Sequence, residues 1–116
     1  MMECFIELID TYLSNYSTYK NGKVDFECHY GELIFYKDNN NKRHVILFGI
    51  YINPDYREKG FCRKILQYII DSSKDKFDYF CVQSVISKVL YEYLKRFSYK
   101  NKKFHLKSSG FVYALL

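Results

Sequence analysis

The stretch from residue 44 to residue 73 constrains the fold of this chain more than any other part of its sequence. It begins with an apolar run of eight residues, Val45 to Ile52, and continues through Asn53-Pro54 into a short basic loop that reaches Gly60. A run of this length is far shorter than the roughly 20 residues that cross a bilayer as a helix, so it indicates a buried strand. Beyond the glycine, apolar residues recur at helical spacing from residue 62 to residue 73. The stretch therefore predicts a central strand, a loop and an amphipathic helix in succession.

The junction between this strand and this helix has the properties of an anion site. The first N–H groups of a helix lack helical partners, and the aligned peptide dipoles add about half a positive charge there. Gly60 lets the backbone approach a ligand closely, and Arg57, Lys59 and Arg63 add positive charge. A diphosphate suits such a loop, because it offers several acceptor oxygens to a row of donors. An ordinary strand-to-helix turn with basic surface side chains remains the alternative on loop chemistry alone.

The remaining periodicities complete the order α-β-β-β-α-β-α-β-β, which is a mixed α/β sandwich, an α+β fold. Helices are predicted at 3–16, 62–73 and 84–97, and strands at 24–30, 32–37, 44–52, 77–82, 103–106 and 111–115. Gly31 is predicted to allow a tight reversal between the first two strands. With 116 residues, 48% of them hydrophobic, the chain has room for a single domain, residues 1–116.

Cysteine usage and charge narrow the class of protein further. Cys4, Cys28, Cys62 and Cys81 are widely spaced, without a zinc-like pattern, so we expect separate reduced thiols and no metal site. The N-terminus lacks the charge pattern of a secretory signal, which predicts an intracellular, cytoplasmic protein without a membrane segment. The net charge is +5, and no acidic residue follows Glu92, so the C-terminal quarter should attract anions.

The central stretch resembles the signature of the GNAT superfamily of N-acetyltransferases. That signature combines an aliphatic pair one residue apart, a proline, an aromatic residue, the pattern Arg/Gln-x-x-Gly-x-Gly/Ala and a helix with paired aliphatic residues. Eight positions match it in the correct strand, loop and helix context: Ile50, Ile52, Pro54, Tyr56, Arg57, Gly60, Ile65 and Leu66. Cys62 stands where a second glycine or alanine is usual, a mild departure because cysteine is also small.

The resemblance implies a mixed, mostly antiparallel central sheet flanked by helices, and acetyl-CoA as the acyl donor. The backbone of Ile50, Tyr51 and Ile52 would line the acetyl and pantetheine arm. Main-chain N–H groups would cradle the pyrophosphate at Arg57, Glu58, Lys59, Gly60, Phe61 and Cys62, with Arg63 beside them. The reaction implied is direct attack of an amine on the thioester, with a backbone N–H of residues 50–52 donating to the developing oxyanion.

The last predicted helix supplies the second half of the implied site. Ser84-x-x-Ser87-x-x-Leu90-Tyr91-Glu92 resembles the family's Asn-x-x-Ala-x-x-Leu-Tyr-Glu pattern. Tyr91 is then the candidate general acid for the CoA thiolate, and Ser84 a weaker cofactor contact in place of asparagine. Where some members carry a glutamate base this chain has Tyr79, so no base is assigned. Other candidates, each more simply an exposed strand residue, are Glu27, His29, Glu32 and His44.

Two other hypotheses stay open on the sequence. One is a nucleic-acid-binding module that uses the basic, aromatic segment from Lys95 to Lys107. The other is a catalytically silent GNAT scaffold that binds CoA without turnover. The acceptor amine is not identified; the basic C-terminal segment favours an acidic or phosphate-bearing acceptor over a polyamine. We expect a monomer or a homodimer.

Overall fold

The computed structural model describes residues 2–40, 43–82, 95, 104–106 and 112–115. Helix α1 spans Met2–Ser14 and helix α2 spans Phe61–Ser73. The strands are β1 (Gly22–Cys28), β2 (Gly31–Lys37), β3 (His44–Ile52), β4 (Tyr79–Val82), β5 (Phe104–Leu106) and β6 (Val112–Leu115). These bounds confirm the corresponding predicted elements to within two residues. The predicted helix at 84–97 lies outside the described residues, apart from Lys95, which is helical.

The six strands form one mixed sheet in the order β1-β2-β3-β4-β6-β5. Strands β3 and β4 are parallel, and the other neighbouring pairs are antiparallel. A parallel pair needs a long crossover, and α2 supplies it between β3 and β4. The mostly antiparallel sheet and the central position of β3 are both as predicted.

The main described core lies between the sheet and a layer formed by both helices. Leu33 and Phe35 on β2 are fully buried there, because alternate side chains of a strand point to the same face. Phe5 of α1 meets Phe61 of α2 with ring centroids 5.6 Å apart. Other fully buried members, all on α1, α2, β3 or β4, are Ile9, Tyr12, Val45, Leu47, Ile65, Ile69 and Phe80. The start of α2 is thus held by apolar contacts from beneath.

The turn between β1 and β2 differs from the prediction. The chain reverses at His29–Tyr30, and Gly31 is already the first residue of β2, opposite Ile52. A Cβ added at Gly31 would overlap the Tyr51 carbonyl oxygen. The glycine is therefore required for the close approach of two strands, and not for a left-handed turn.

The cysteines also differ from the prediction of four separate thiols. Cys4 in the first turn of α1 and Cys28 at the end of β1 form a disulfide, with Cα atoms 6.2 Å apart. They are separated by 24 residues in the sequence, and only the packing of α1 against β1 brings them together. Cys62 and Cys81 are free thiols, as expected.

Neither a membrane-spanning helix nor a metal-binding cluster occurs among the described residues. No described helix has both the length and the apolar character needed to cross a membrane. Within the same residues, no group of three or more His, Cys, Asp or Glu side chains is arranged to hold a metal ion.

Candidate cofactor-binding site

A β-bulge lies in the middle of β3, the strand that leads into the basic loop. Ile34 of β2 pairs with Gly49, but its neighbour Phe35 pairs with Leu47, so Phe48 is an extra residue on β3. A bulge bends the strand that carries it and increases its twist. The C-terminal half of β3 is therefore turned relative to its first half.

The described pairing of β3 with β4 involves the first half of β3. The parallel register runs from His44 with Tyr79 to Leu47 with Val82. The second half of β3, residues 49–52, pairs with β2. In an antiparallel pair, alternate residues turn their N–H and C=O groups away from the partner. Among residues 50–52, some backbone polar groups therefore point away from β2, toward the β4 side of the sheet.

The loop after β3 combines a tight turn with two left-handed residues. Pro54–Tyr56 form one turn of 3₁₀ helix, closed by the Tyr56 N–H donating to the Asn53 carbonyl at 2.9 Å. Glu58 has φ 63° and Gly60 has φ 78°, and every residue from Arg57 to Gly60 is exposed. Left-handed residues in such a loop help to form the concave rows of N–H groups that bind anions.

The N-terminus of α2, which follows this loop, presents backbone N–H donors without helical partners. The first helical hydrogen bond runs from the Lys64 N–H to the Gly60 carbonyl at 3.1 Å, and Gly60 has no side chain to cap the helix. The N–H groups of Phe61, Cys62 and Arg63 precede that bond and meet no acceptor within the described chain. Added to the helix dipole, these donors suit a multiply charged anion.

Arg57 has a structural role that its charge alone does not reveal. Its Nε donates to the Ile52 carbonyl at 2.9 Å, and its guanidinium carbon lies 5.4 Å from the centre of the Tyr51 ring. The Tyr51 side chain is 48% exposed, on the sheet face away from α2. Arg57 thus joins the loop to the end of β3, and Lys59 and Arg63 remain exposed as sources of positive charge.

The environment of Cys62 disfavours its thiolate form. Burial raises the pKa of its thiol to about 12, so the thiolate is scarce at neutral pH. The small thiol packs against the hydrophobic core instead. This agrees with its place at a position where small residues are usual.

The other sequence-predicted site residues are only partly placed. Tyr91 and Ser84 lie outside the described residues. Among the base candidates, His44 begins β3 and meets the ring of Tyr79 edge-on, with centroids 4.6 Å apart, about 25 Å of strand away from Ile52. Glu32 is paired directly with Tyr51, near the end of β3.

A further candidate base, His29, is already engaged. Its Nε2 lies 2.8 Å from the Tyr56 hydroxyl. No sequence pattern indicates this contact or the left-handed Glu58, since both depend on how the β1–β2 turn meets the loop. Asn53 has a weak sequence signal, because asparagine favours turns.

Comparisons with known proteins agree with this geometry. The sequence matches the Acetyltransferase (GNAT) family over residues 10–97, three quarters of the chain, and the protein therefore belongs to that family. Membership makes the chain an N-acetyltransferase by class, with acetyl-CoA as acyl donor. Curated proteins provide no match.

Solved structures share the fold at low sequence identity. The spermidine/spermine N-acetyltransferase SpeG from Vibrio cholerae is 18% identical, with a TM-score of 0.57 over 94% of this chain and 73% of its own. PaiA N-acetyltransferase from Thermoplasma acidophilum, in complex with coenzyme A, is 15% identical, with a TM-score of 0.56 over 95% and 70%. A GNAT family acetyltransferase from Elizabethkingia anophelis with acetyl-CoA bound is 16% identical, with a TM-score of 0.52 over 95% and 82%. All three confirm the predicted fold class.

Proposed function

We propose that residues 1–116 act as one domain that transfers the acetyl group of acetyl-CoA directly to a primary amine of a small molecule or a protein. One observation carries this proposal: β3 leads through a left-handed loop to the N-terminus of α2, where three N–H donors meet no acceptor within the described chain. Acetyl-CoA supplies an activated acetyl thioester. Its pantetheine arm carries amide groups that can pair with exposed strand backbone, and its pyrophosphate matches a row of N–H donors.

Different residues then hold the two ends of the donor. The backbone of Ile50, Tyr51 and Ile52 would pair with the pantetheine arm on the side away from β2. The loop from Arg57 through Gly60 and the first turn of α2 through Arg63 would hold the pyrophosphate. Gly60 supports this assignment, because nothing lies within 4 Å of the position its Cβ would take, so the backbone is open to a ligand.

The chemical step needs an oxyanion donor and proton transfer. A backbone N–H at residues 50–52 that points away from β2 would donate to the oxygen of the reacting carbonyl. Tyr91 is our candidate to protonate the departing thiolate, and Ser84 a candidate cofactor contact. We assign no base, so the amine is expected to arrive deprotonated or to lose its proton through water.

Two groups of charged residues favour different classes of acceptor amine. The basic C-terminal segment favours an acidic or phosphate-bearing amine. On the sheet face that carries Tyr51, however, Asp25, Glu27 and Glu32 lie on adjacent strands, with Glu27 paired to Glu32 and Glu32 to Tyr51. A panel of polyamines, lysine peptides and phosphorylated amines would separate these possibilities by their kcat/KM.

A thermal-shift titration with acetyl-CoA tests the binding half of the proposal. A ligand at one hundred times its Kd stabilises the fold by about 2.7 kcal/mol. For 116 residues this corresponds to a rise in Tm of about 11 °C. Absence of any shift at millimolar acetyl-CoA would count heavily against the function.

Two glycine variants provide the matched comparison. Gly60→Val should abolish the shift, because it puts a branched side chain in the loop at a positive φ. Gly22→Val is the control, since Gly22 also has a positive φ and open space at its Cβ but lies at the start of β1. It should lower the Tm of the free protein and keep the shift.

Two alternatives give different results in the same assays. A silent scaffold would show the acetyl-CoA shift and no turnover with any amine. A nucleic-acid-binding module would bind RNA or DNA with a steep salt dependence and ignore acetyl-CoA. The comparisons give the second alternative no support, since they all lead to acetyltransferases. Tyr91→Phe should keep binding and slow transfer if Tyr91 is the general acid.

A further inference from the structure

The turn between β1 and β2, here called the hairpin turn, is connected by hydrogen bonds to the segment just before residues 57–60, the proposed phosphate loop. Asn53 is the centre of these contacts. Its backbone N–H donates to the Tyr30 carbonyl at 2.9 Å, and its side-chain Nδ2 donates to the His29 carbonyl at 2.6 Å. Its own carbonyl accepts from the Tyr56 N–H at 2.9 Å. One residue thus fixes the loop start to the hairpin turn.

Side chains make a second connection between the same two segments. The Tyr56 hydroxyl lies 2.8 Å from Nε2 of His29, a hydrogen-bond distance. The ring of Tyr56 also meets the ring of Tyr30 edge-on, with centroids 4.6 Å apart. Edge-on aromatic pairs are stabilising beyond the area they bury. Contacts with the hairpin turn therefore determine where the Tyr56 side chain lies.

The hairpin turn also contacts the far end of the loop. Tyr30 packs on Phe61, the first residue of α2, at 6.1 Å between ring centroids. The turn thus touches the chain just before the loop, at Tyr56, and just after it, at Phe61. Between these points Glu58, Lys59 and Gly60 are exposed. The separation of the loop ends is set by a turn that belongs to neither β3 nor α2.

We propose that Asn53, Tyr56 and His29 are positioning residues, which hold the phosphate loop in its binding shape through the β1–β2 turn. This inference rests on the proposed function, because it assigns how the loop is preorganised for the pyrophosphate of acetyl-CoA. Loop residues that are ordered before binding lose less conformational entropy when the ligand binds. Loss of the connection should weaken binding of the phosphates and leave contacts along β3 unchanged.

Two conservative variants remove one hydrogen bond each. Tyr56→Phe deletes the hydroxyl at His29 and keeps the ring that packs on Tyr30. Asn53→Asp keeps the shape of the side chain but loses the Nδ2 donor and places a carboxylate next to the His29 carbonyl. A net hydrogen bond corresponds to about a two- to ten-fold change in an equilibrium constant. We expect Tyr56→Phe to raise the Kd for acetyl-CoA by that factor, and Asn53→Asp by at least as much.

Tyr68→Phe is the matched control. The Tyr68 hydroxyl donates to Oδ1 of Asp10 at 2.7 Å, so it is also an exposed tyrosine hydrogen bond between two elements. It joins α2 to α1, away from the loop. Its removal should leave the Kd for acetyl-CoA unchanged.

The experiment measures the Kd of each variant for acetyl-CoA and for S-acetyl-pantetheine, which lacks the phosphates. The expected result is a loss confined to acetyl-CoA in Tyr56→Phe and Asn53→Asp. An unchanged Kd for acetyl-CoA in both variants would overturn the inference. An equal loss for both ligands would also overturn it, because general disorder and not loop positioning would then be the cause. If the unmodified protein bound neither ligand, the proposed function itself would fail.

Discussion

Two left-handed residues in the phosphate loop allow a prediction with opposite signs at neighbouring positions. Glu58 has φ 63° although it carries a side chain, and Gly60 has φ 78° with open space around its Cβ position. Gly60→Ala would put a Cβ on a left-handed residue without a steric clash. Glu58→Gly would remove the Cβ from the other. The first change should destabilise the protein, and the second should stabilise it.

The magnitude follows from two terms. A left-handed conformation costs an L-residue about 1–2 kcal/mol. Exchange of glycine and alanine shifts the entropy of the unfolded chain by about 0.4–1 kcal/mol in the opposite sense. The net effect is about 1 kcal/mol for each variant, with opposite signs. For a chain of 116 residues this is a change in Tm of about 4 °C.

Urea unfolding and thermal melting measure these effects, and Glu58→Gln separates backbone from charge. The glutamine variant keeps the strained conformation, so its stability should be unchanged. Both Glu58 variants should bind acetyl-CoA more tightly, because each removes a carboxylate beside the phosphates. If Gly60→Ala were neutral and Glu58→Gly destabilising, the left-handed geometry would be wrong, and with it the preformed row of N–H donors.

Four further predictions concern the core and the cysteines. Tyr12→Phe should stabilise the fold by about 1–3 kcal/mol in urea unfolding, because the buried Tyr12 hydroxyl has no hydrogen-bond partner within the described chain. Tyr16→Phe should instead lower stability by about 1 kcal/mol, since the Tyr16 hydroxyl donates to a backbone carbonyl at 2.9 Å. Reduction of the Cys4–Cys28 disulfide should lower the free energy of unfolding by about 3.5 kcal/mol, by the loop-entropy relation for 24 residues. An unchanged Tm after reduction, or four free thiols in the native protein by mass spectrometry, would refute the pairing. Cys62 should resist iodoacetamide at pH 8 in the folded state and react in urea, because burial raises the pKa of its thiol to about 12. Ionisation of this thiol begins to destabilise the fold only as pH rises past the ordinary thiol pKa. Rapid alkylation of the folded protein would contradict the prediction.

The sequence predicted most of the fold because its signals are local. The alternation on β1 and β2, the apolar run of β3 and the helical spacing after Gly60 each reflect a periodicity that a single element imposes. The family signature works for the same reason, since strand, loop and helix start are contiguous from Ile50 to Cys62. The cofactor loop could therefore be recognised before its geometry was known.

The errors and omissions concern contacts between distant segments. The bond between Cys4 and Cys28 depends on how α1 packs on β1, and the reversal at His29–Tyr30 depends on the register with β3. The hydrogen bond from Asn53 to the His29 carbonyl and the edge-on contact of Tyr56 with Tyr30 join positions more than 20 residues apart. No periodicity within one element reports on such pairs.

The sequence alone thus determined the order of the described elements, the family and the loop that we propose as the phosphate site. Tertiary structure decided how that loop is held and which cysteines meet. The physical reason is range: backbone preference and amphipathicity act over a few residues, whereas the shape of a site depends on packing between segments that the chain brings together only on folding.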